Sequence, residues 1–422
     1  MSHIDPQFRK LCVMGLGYIG LPTASLLASK GFEVHGVDVS PQVVETINAG
    51  RIHIREPELD ILVKSAVQSG RLKAETQPAP ADVFILAVPT PFMEGYRPDL
   101  TYVEAATRAI APCLVPGNLV ILESTSPVGT TELVAHWLAE ERPDLNLPGR
   151  GNDKVDASGV IRVAHCPERV LPGQIIRELV ANDRIVGGVD DVSTATAAEF
   201  YLQFVAGKVL TTDSRTAELA KLTENTFRDV NIALANELSQ ICDHLGVDVW
   251  ELIQLANHHP RVNILLPGPG VGGHCIAVDP WFIVHSAPEQ SRLIRTAREV
   301  NTGKPELVIA KTRAKAARIQ NPTIACFGLA YKPDIDDLRE SPAVEIARHL
   351  AEQRVGRVLA VEPHIDTLPK ALAEAGVELR GADEALAEAD IVLGLVGHRR
   401  FQKLSRQVLQ EKIVIDTCGL WR

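Results

Sequence analysis

The run Gly15-Leu16-Gly17-Tyr18-Ile19-Gly20, directly behind the apolar stretch Lys10–Met14, leaves few folds open to the chain. Leu21 to Ser29 has helical character, Gly31 stops it, and Phe32 to Val37 reads as a second strand closed by Asp38, 18 residues beyond Gly20. A strand, a glycine turn, a helix and a second strand ending in an acid form the βαβ unit that binds dinucleotides. Gly15, Gly17 and Gly20 would let a pyrophosphate approach the helix N-terminus, where unsatisfied N–H groups and the helix dipole favour negative charge. Tyr18 and Ile19 lie within the same turn. Asp38 would accept the adenosine ribose hydroxyls and repel a 2'-phosphate, which favours NAD over NADP. The bland alternative is a plain glycine turn with a solvent-facing Asp, and the ordered strand–helix–strand context argues against it.

Two further apolar runs end in small polar residues, as buried parallel strands do at their ligand-bearing ends. Asp82–Val88 runs into Pro89-Thr90-Pro91, and Leu119–Glu123 into Ser124–Gly129, making Thr90 and Thr125 candidate cofactor contacts or simple turn hydroxyls. Thr101–Leu114 reads as helix and the polar stretch Pro143–Gly159 as a surface loop. The run Val160–Ala164 leads into His165–Gly173, where prolines bracket Glu168-Arg169, either a surface salt bridge or a rigid ligand-facing pair. The last hundred residues repeat this logic: Thr323–Phe327, Arg357–Val361, Asp390–Val396 and Lys412–Asp416 read as strands, and Ser341-Pro342 as a helix start. Their glycine signature is degenerate, and Lys332 and Arg339 occupy the ligand-side loop, which suits a second nucleotide-like ligand better than a second dinucleotide.

Between the halves, Asp213 to about Leu245 contains no proline and ends at Gly246, predicting one helix approaching 50 Å. Leu219, Leu222, Phe227, Val230, Leu234, Leu238 and Ile241 are expected to supply its apolar contacts. Lys221, Asn225 and Arg228 share one face and suit an anionic, hydroxylated ligand better than the Glu/Lys mixture of a solvated face. The expected fold is thus α/β: two Rossmann-like doubly wound domains, residues 1–212 and 321–422, joined through a central helical region at 213–320. Within that region the stretch Gly268–Pro280 holds four glycines besides two prolines, with Cys275 and Asp279 four residues apart. A thiol in a loop built for close approach is a candidate for chemistry rather than packing. The adjacent His258 and His259 have no third ligand at a metal-binding spacing, so no metal site is expected. The stretch from Arg292 through Arg318 reads as helix with a solvated face.

Composition sets limits on partners. The 422 residues carry a net charge of -10, which argues against nucleic acid and acidic membranes. No apolar run is long enough to span a bilayer, no secretory signal opens the chain, and seven scattered cysteines without a C-x-x-C pair suggest a reduced, cytoplasmic setting.

The stretches GLGYIGLP (15–22), VPTPF (88–92), ESTSPVG (123–129), CPERVLPG (166–173), AELAKLTENTFRDVNIA (217–233), HPRVNILLPGPGVGGHCIAVDPWF (259–282) and ACFGLAYKPDIDDLRESP (325–342) together resemble the UDP-sugar and GDP-mannose 6-dehydrogenase family, essentially end to end. The resemblance implies oxidation of a sugar CH2OH to a carboxylate with two NAD, on a UDP-N-acetylhexosamine, the manno epimer ahead of the gluco epimer. A nucleotide-sugar binder without catalysis is the rival of a different class, disfavoured by the joint presence of Cys275, Lys221 and Asp279. The implied nucleophile is Cys275, which forms a thiohemiacetal and then a thioester. Lys221 is implied as proton donor or acceptor and oxyanion partner, and Asp279 and Glu168 as groups that position or activate water. Implied substrate contacts are Arg169, Val170, Lys221, Asn225, Arg228, His259, Arg261, Gly272, Tyr331 and Lys332. Implied NAD contacts are Tyr18, Ile19, Asp38, Thr90 and Thr131, with Arg339 close to the cofactor. The resemblance also implies a homodimer built on the long helix, with Arg261 serving the partner subunit, and a product used in cell-surface polysaccharides such as enterobacterial common antigen. One departure stands out: Cys418 occupies a position where the family usually has Arg or Lys, so weaker or differently arranged substrate binding is expected, without loss of the chemistry.

Overall fold

The computed structural model describes residues 8–54, 56–148, 159–273, 275–404 and 406–421. His274 and most of the expected loop Pro143–Gly159 fall outside them. The chain forms two compact units, residues 1–223 and 224–422.

The first unit is built on an eight-stranded sheet: β1 Lys10–Met14, β2 Glu33–Val37, β3 Leu72–Glu75, β4 Val83–Leu86, β5 Leu119–Leu122, β6 Arg162–His165, β7 Arg184–Gly188 and β8 Val209–Asp213. Their order is β8-β7-β6-β5-β4-β1-β2-β3, so the first six strands follow the doubly wound arrangement 3-2-1-4-5-6. All neighbours are parallel except β6 and β7. Alternate residues of each strand enter opposite cores, which explains the continuous apolar runs. Val13, Ile85 and Ile121 pack on one side with Leu21, Leu27 and Phe200. Met14, Phe84 and Leu122 pack on the other with Val103, Ile110 and Leu138. Register aligns Met14 with Val37 and with Leu86, so the turns after β1, β2 and β4 emerge at one edge.

The second unit repeats this arrangement in five parallel strands: β9 Thr323–Phe327, β10 Arg357–Val361, β11 Glu378–Leu379, β12 Ile391–Gly394 and β13 Ile413–Asp416, ordered β11-β10-β9-β12-β13. Ile324, Cys326 and Leu393 pack against Ile346, Leu350 and Ile309, and Phe327 and Val392 against Leu386 and Phe401. Ser341 caps the helix Pro342–Glu352 by accepting from the Ala343 N–H, with proline at the first helical position as expected.

One helix, Ser214–Leu245, runs 32 residues and stops at Gly246, whose φ of 70° ends it in the left-handed region. Two expectations about the helices need correction. Of the residues expected to pack, Leu222 is buried, but Leu219, Phe227, Leu234 and Ile241 are exposed. The faces buried instead carry Asp229, Ala233 and Asn236. The helix Arg292–Ala316 is likewise not solvated on its basic face: Arg298, Asn301 and Lys304 are buried. Arg298 Nη1 meets Asp229 Oδ1 at 2.6 Å, and the Asn301 amide donates to the same oxygen at 2.8 Å. Burial holds Lys304 down to about 8.

Candidate active site

The first glycine turn shows three separate needs for glycine. Gly15 has φ of 89°, and a Cβ there would meet the Ala87 carbonyl oxygen at 2.6 Å. A Cβ on Gly20 would collide with the Gly15 carbonyl oxygen, so helix Gly20–Lys30 packs against the strand only without a side chain. Gly17 is different: a Cβ would meet nothing within 4 Å, so the space beside it is open to a ligand. Asp38 accepts from the Leu16 N–H (3.1 Å) and the Ser40 N–H (2.9 Å), which aims a half-buried carboxylate at the same turn. An open phosphate cradle and an oriented acid fit NAD. Tyr18 and Ile19 border this turn, with Tyr18 exposed.

The threonines divide. Thr90 Oγ1 donates to the Thr125 carbonyl at 2.6 Å, tying together the turns after β4 and β5. Thr131 is fully buried, and both its N–H and its hydroxyl bond Glu218, which also accepts from the Gly129 N–H. These bonds fix the Gly129–Thr131 turn on the long helix. Glu168 is buried rather than a surface pair with Arg169. Its Oε2 meets Arg184 Nη1 at 2.9 Å and its Oε1 accepts the Arg169 N–H at 2.5 Å. Arg169 itself donates to the Asp183 carbonyl, and Val170 is half-buried beside it. A second acid, Glu123, lies buried in the same cluster with Oε1 lacking a hydrogen-bond partner among the described residues. Burial, and then the charge of Glu168, push Glu123 up to about 8, so it is neutral at ordinary pH. Lys221 is half-buried on the long helix.

In the second unit, Cys275 is an exposed thiol whose carbonyl accepts the N–H groups of Val278 and Asp279, so it stands at the start of the helix Asp279–Ser286. Asp279 is buried, and Asn225 Nδ2 donates to its Oδ2 at 2.6 Å. Arg228, His259 and Arg261 are exposed, and Arg261 N–H bonds His259 Nδ1 at 3.3 Å. The glycines of this loop are required by packing: a Cβ on Gly270 would press on Pro342 at 3.0 Å, one on Gly272 would overlap the Glu340 carbonyl, and one on Gly273 would press on the Tyr331 ring at 3.0 Å.

A cavity of about 150 Å³ opens where the strand order of the second sheet reverses, between β9 and β12. Its lining includes Gly270, Tyr331, Pro342, Val396, Gly397 and Cys418. Doubly wound sheets bind ligands at this switch point. Lys332 is half-buried next to the lining Tyr331, and Arg339 is an exposed arginine bonded to Asp337.

The sequence resolves the ownership of these sites. Residues 9–205 match the NAD binding domain, 215–303 the central domain and 325–422 the UDP binding domain of the UDP-glucose/GDP-mannose dehydrogenase family. The chain belongs to this family. Among relatives, it is 60% identical over 418 residues to an NDP-N-acetyl-D-galactosaminuronic acid dehydrogenase of Ralstonia nicotianae, covering 99% of this chain and 97% of the relative. It is 55% identical over 424 residues to the UDP-N-acetyl-D-mannosamine dehydrogenase of Escherichia coli K12, covering 99% and 100%. The UDP-D-ManNAc dehydrogenase structure from Pyrococcus horikoshii matches with a TM-score of 0.85 at 38% identity, covering 98% of this chain and 96% of that one. The protein is an NAD-dependent nucleotide-sugar dehydrogenase with an NAD-binding domain and a UDP-binding domain. None of its described helices is long and apolar enough to cross a membrane.

Sequence reasoning missed Glu123, Arg184, Arg298, Asn301 and the Glu362–His398 pair. One signal was present: Arg298, Asn301, Val308, Ile309 and Thr312 are buried at helical spacing, a mixed stripe that marks a packed face.

Proposed function

We propose that the protein oxidises C6 of UDP-N-acetyl-D-mannosamine to the uronate, with Cys275 as nucleophile. NAD, when bound, takes up hydride in each of the two oxidations. A direct second hydride loss from a free aldehyde lacks a tetrahedral carbon bearing both hydrogen and an ionisable group. Addition of the Cys275 thiolate supplies that carbon as a thiohemiacetal, its oxidation leaves a thioester, and water releases the acid and the thiol. Lys221 is assigned the proton of the reacting oxygen and the stabilisation of its negative charge. Asp279, aimed by Asn225, is assigned the hydrolytic water, and Glu168, fixed by Arg184, the ordering of the loop bearing Arg169 and Val170. Arg228, His259, Gly272, Tyr331 and Lys332 are assigned to the substrate, and Tyr18, Ile19, Asp38, Thr90, Thr125 and Arg339 to the cofactor. The observation that carries the assignment is the exposed Cys275 thiol at the start of a helix whose first residue, Asp279, is hydrogen-bonded by Asn225.

The three-part division at residues 212/213 and 320/321 goes with this assignment, as do a cytoplasmic setting and a product destined for cell-surface polysaccharide. We infer a homodimer through the exposed Phe227, Leu234 and Ile241, spaced seven residues apart on the long helix, with Arg261 reaching the partner's site. The manno assignment rests on relatives named for that sugar. The Ralstonia relatives at 60% identity favour N-acetylgalactosamine as the second choice. Rates of NADH formation on the UDP-linked manno, galacto and gluco N-acetylhexosamines decide among them. The manno sugar is expected to give the highest kcat/KM, and a higher value for either other sugar overturns the assignment. Cys275→Ser is expected to abolish uronate formation, and acid production at the parent rate removes the covalent mechanism.

A further inference from the structure

The second sheet keeps the architecture of a dinucleotide turn but closes it from within. Gly328 N–H donates to the Val361 carbonyl at 2.9 Å, as Gly15 N–H does to the Val37 carbonyl at 2.8 Å, and the two glycines share φ values of 93° and 89°. Glu362 follows β10 as Asp38 follows β2, and accepts from the Leu329 N–H at 2.8 Å and the Ala330 N–H at 3.1 Å. Asp38 stays half-exposed, whereas the Glu362 side chain is fully buried with His398 Nε2 against it at 3.0 Å. The other ring nitrogen, Nδ1, accepts the Asp334 N–H at 2.9 Å, so the proton of a neutral His398 sits on Nε2 and is donated to Glu362.

Asp334 has φ of 61°, unfavourable for a residue with a Cβ and kept only where its surroundings over-determine it. His398 Nδ1 holds its N–H, and its carboxylate accepts from the Arg399 N–H at 3.1 Å and pairs with Arg399 Nε at 3.0 Å. These contacts join the two walls of the switch-point cavity: Ala330, Tyr331 and Pro333 line one, and Val396 and Gly397, immediately before His398, line the other. Asp334, His364 and His398 bring metal-ligating atoms within 4.8 Å of one another. Both His398 nitrogens are already bonded to protein groups, which favours a structural latch over a metal site.

We propose that His398 is a positioning residue for the nucleotide-sugar, latching the loop Leu329–Arg339 to the opposite wall of the cavity and filling, at Glu362, the place that a cofactor ribose would take at Asp38. This rests on that cavity being the anchor of the UDP moiety. The test uses the full-length protein, titrated calorimetrically with UDP and assayed for KM and kcat. His398→Ala is expected to weaken UDP binding and raise the nucleotide-sugar KM by about tenfold, because a bond to a buried carboxylate and one to a strained loop are lost together. The KM for NAD is expected to stay within about twofold, since the glycine turn of the first unit is untouched. His398→Gln, whose amide can donate to Glu362, is expected to recover a substantial part of the affinity. Glu362→Gln, which keeps the shape and removes the charge, is expected to follow His398→Ala and serves if the alanine variant does not fold. A parent that binds UDP together with variants that bind it equally well overturns the latch alone. A parent that binds no UDP overturns the anchor and the latch with it.

Discussion

Asn225 donates its side-chain amide to Asp279 Oδ2 at 2.6 Å, so a residue of the long helix aims the carboxylate that stands four residues beyond Cys275. A hydrogen bond to an ionised group contributes about 1.5–3 kcal/mol. Asn225→Ala is therefore expected to lower kcat by about 10- to 100-fold. Pre-steady-state mixing separates the steps: a burst of NADH followed by slowed acid release is expected if Asp279 serves the hydrolysis. A uniform loss of both phases speaks against that assignment.

Cys418 lines the switch-point cavity, its N–H bonded to Asp416 Oδ1 at 3.2 Å. No side-chain cation stands at this position to meet a diphosphate. Cys418→Lys is expected to lower the KM for the nucleotide-sugar with kcat little changed, and an unchanged or higher KM counts against a ligand-side role for the residue.

Glu123 titrates near 8 in the folded protein against 4.5 as its ordinary value, burial being the main cause. The folded state thus holds a proton that the unfolded chain has released, so this group costs stability progressively as pH rises from about 4.5 to about 8. Glu123→Gln escapes that loss. Thermal unfolding is expected to show Tm of the variant gaining on the parent from pH 5 to pH 8, and a pH-independent difference means that Glu123 ionises normally.

The stripe of Phe227, Leu234 and Ile241 leaves apolar area facing outward from one chain. Phe227→Asp with Leu234→Asp is expected to convert a dimer to a monomer in sedimentation velocity. A monomeric parent removes the stripe as an interface.

What the sequence made legible was local. The Gly15–Gly20 turn, the Ser341-Pro342 cap and the stop at Gly246 each depend on backbone geometry set by near neighbours, and each is where the pattern put it. Partners across the chain were not legible. Glu168 pairs with Arg184, 16 residues away, rather than with adjacent Arg169, and Arg298 finds Asp229 69 residues back. A buried charge and a solvated one look alike along a helix, because periodicity weighs apolar faces and is silent about which cation meets which acid. Phe227 shows the converse: an apolar residue at helical spacing does not reveal whether its cover comes from its own chain.

The glycines beside Cys275 have a mechanical consequence. With Gly272 lying flush against the Glu340 backbone and Gly273 against the Tyr331 ring, a shift in the wall of the switch-point cavity would press directly on the loop that leads to Cys275. If UDP fills that cavity, UDP alone is expected to change the rate at which iodoacetamide alkylates Cys275, and an unchanged rate means that the contact carries nothing to the thiol.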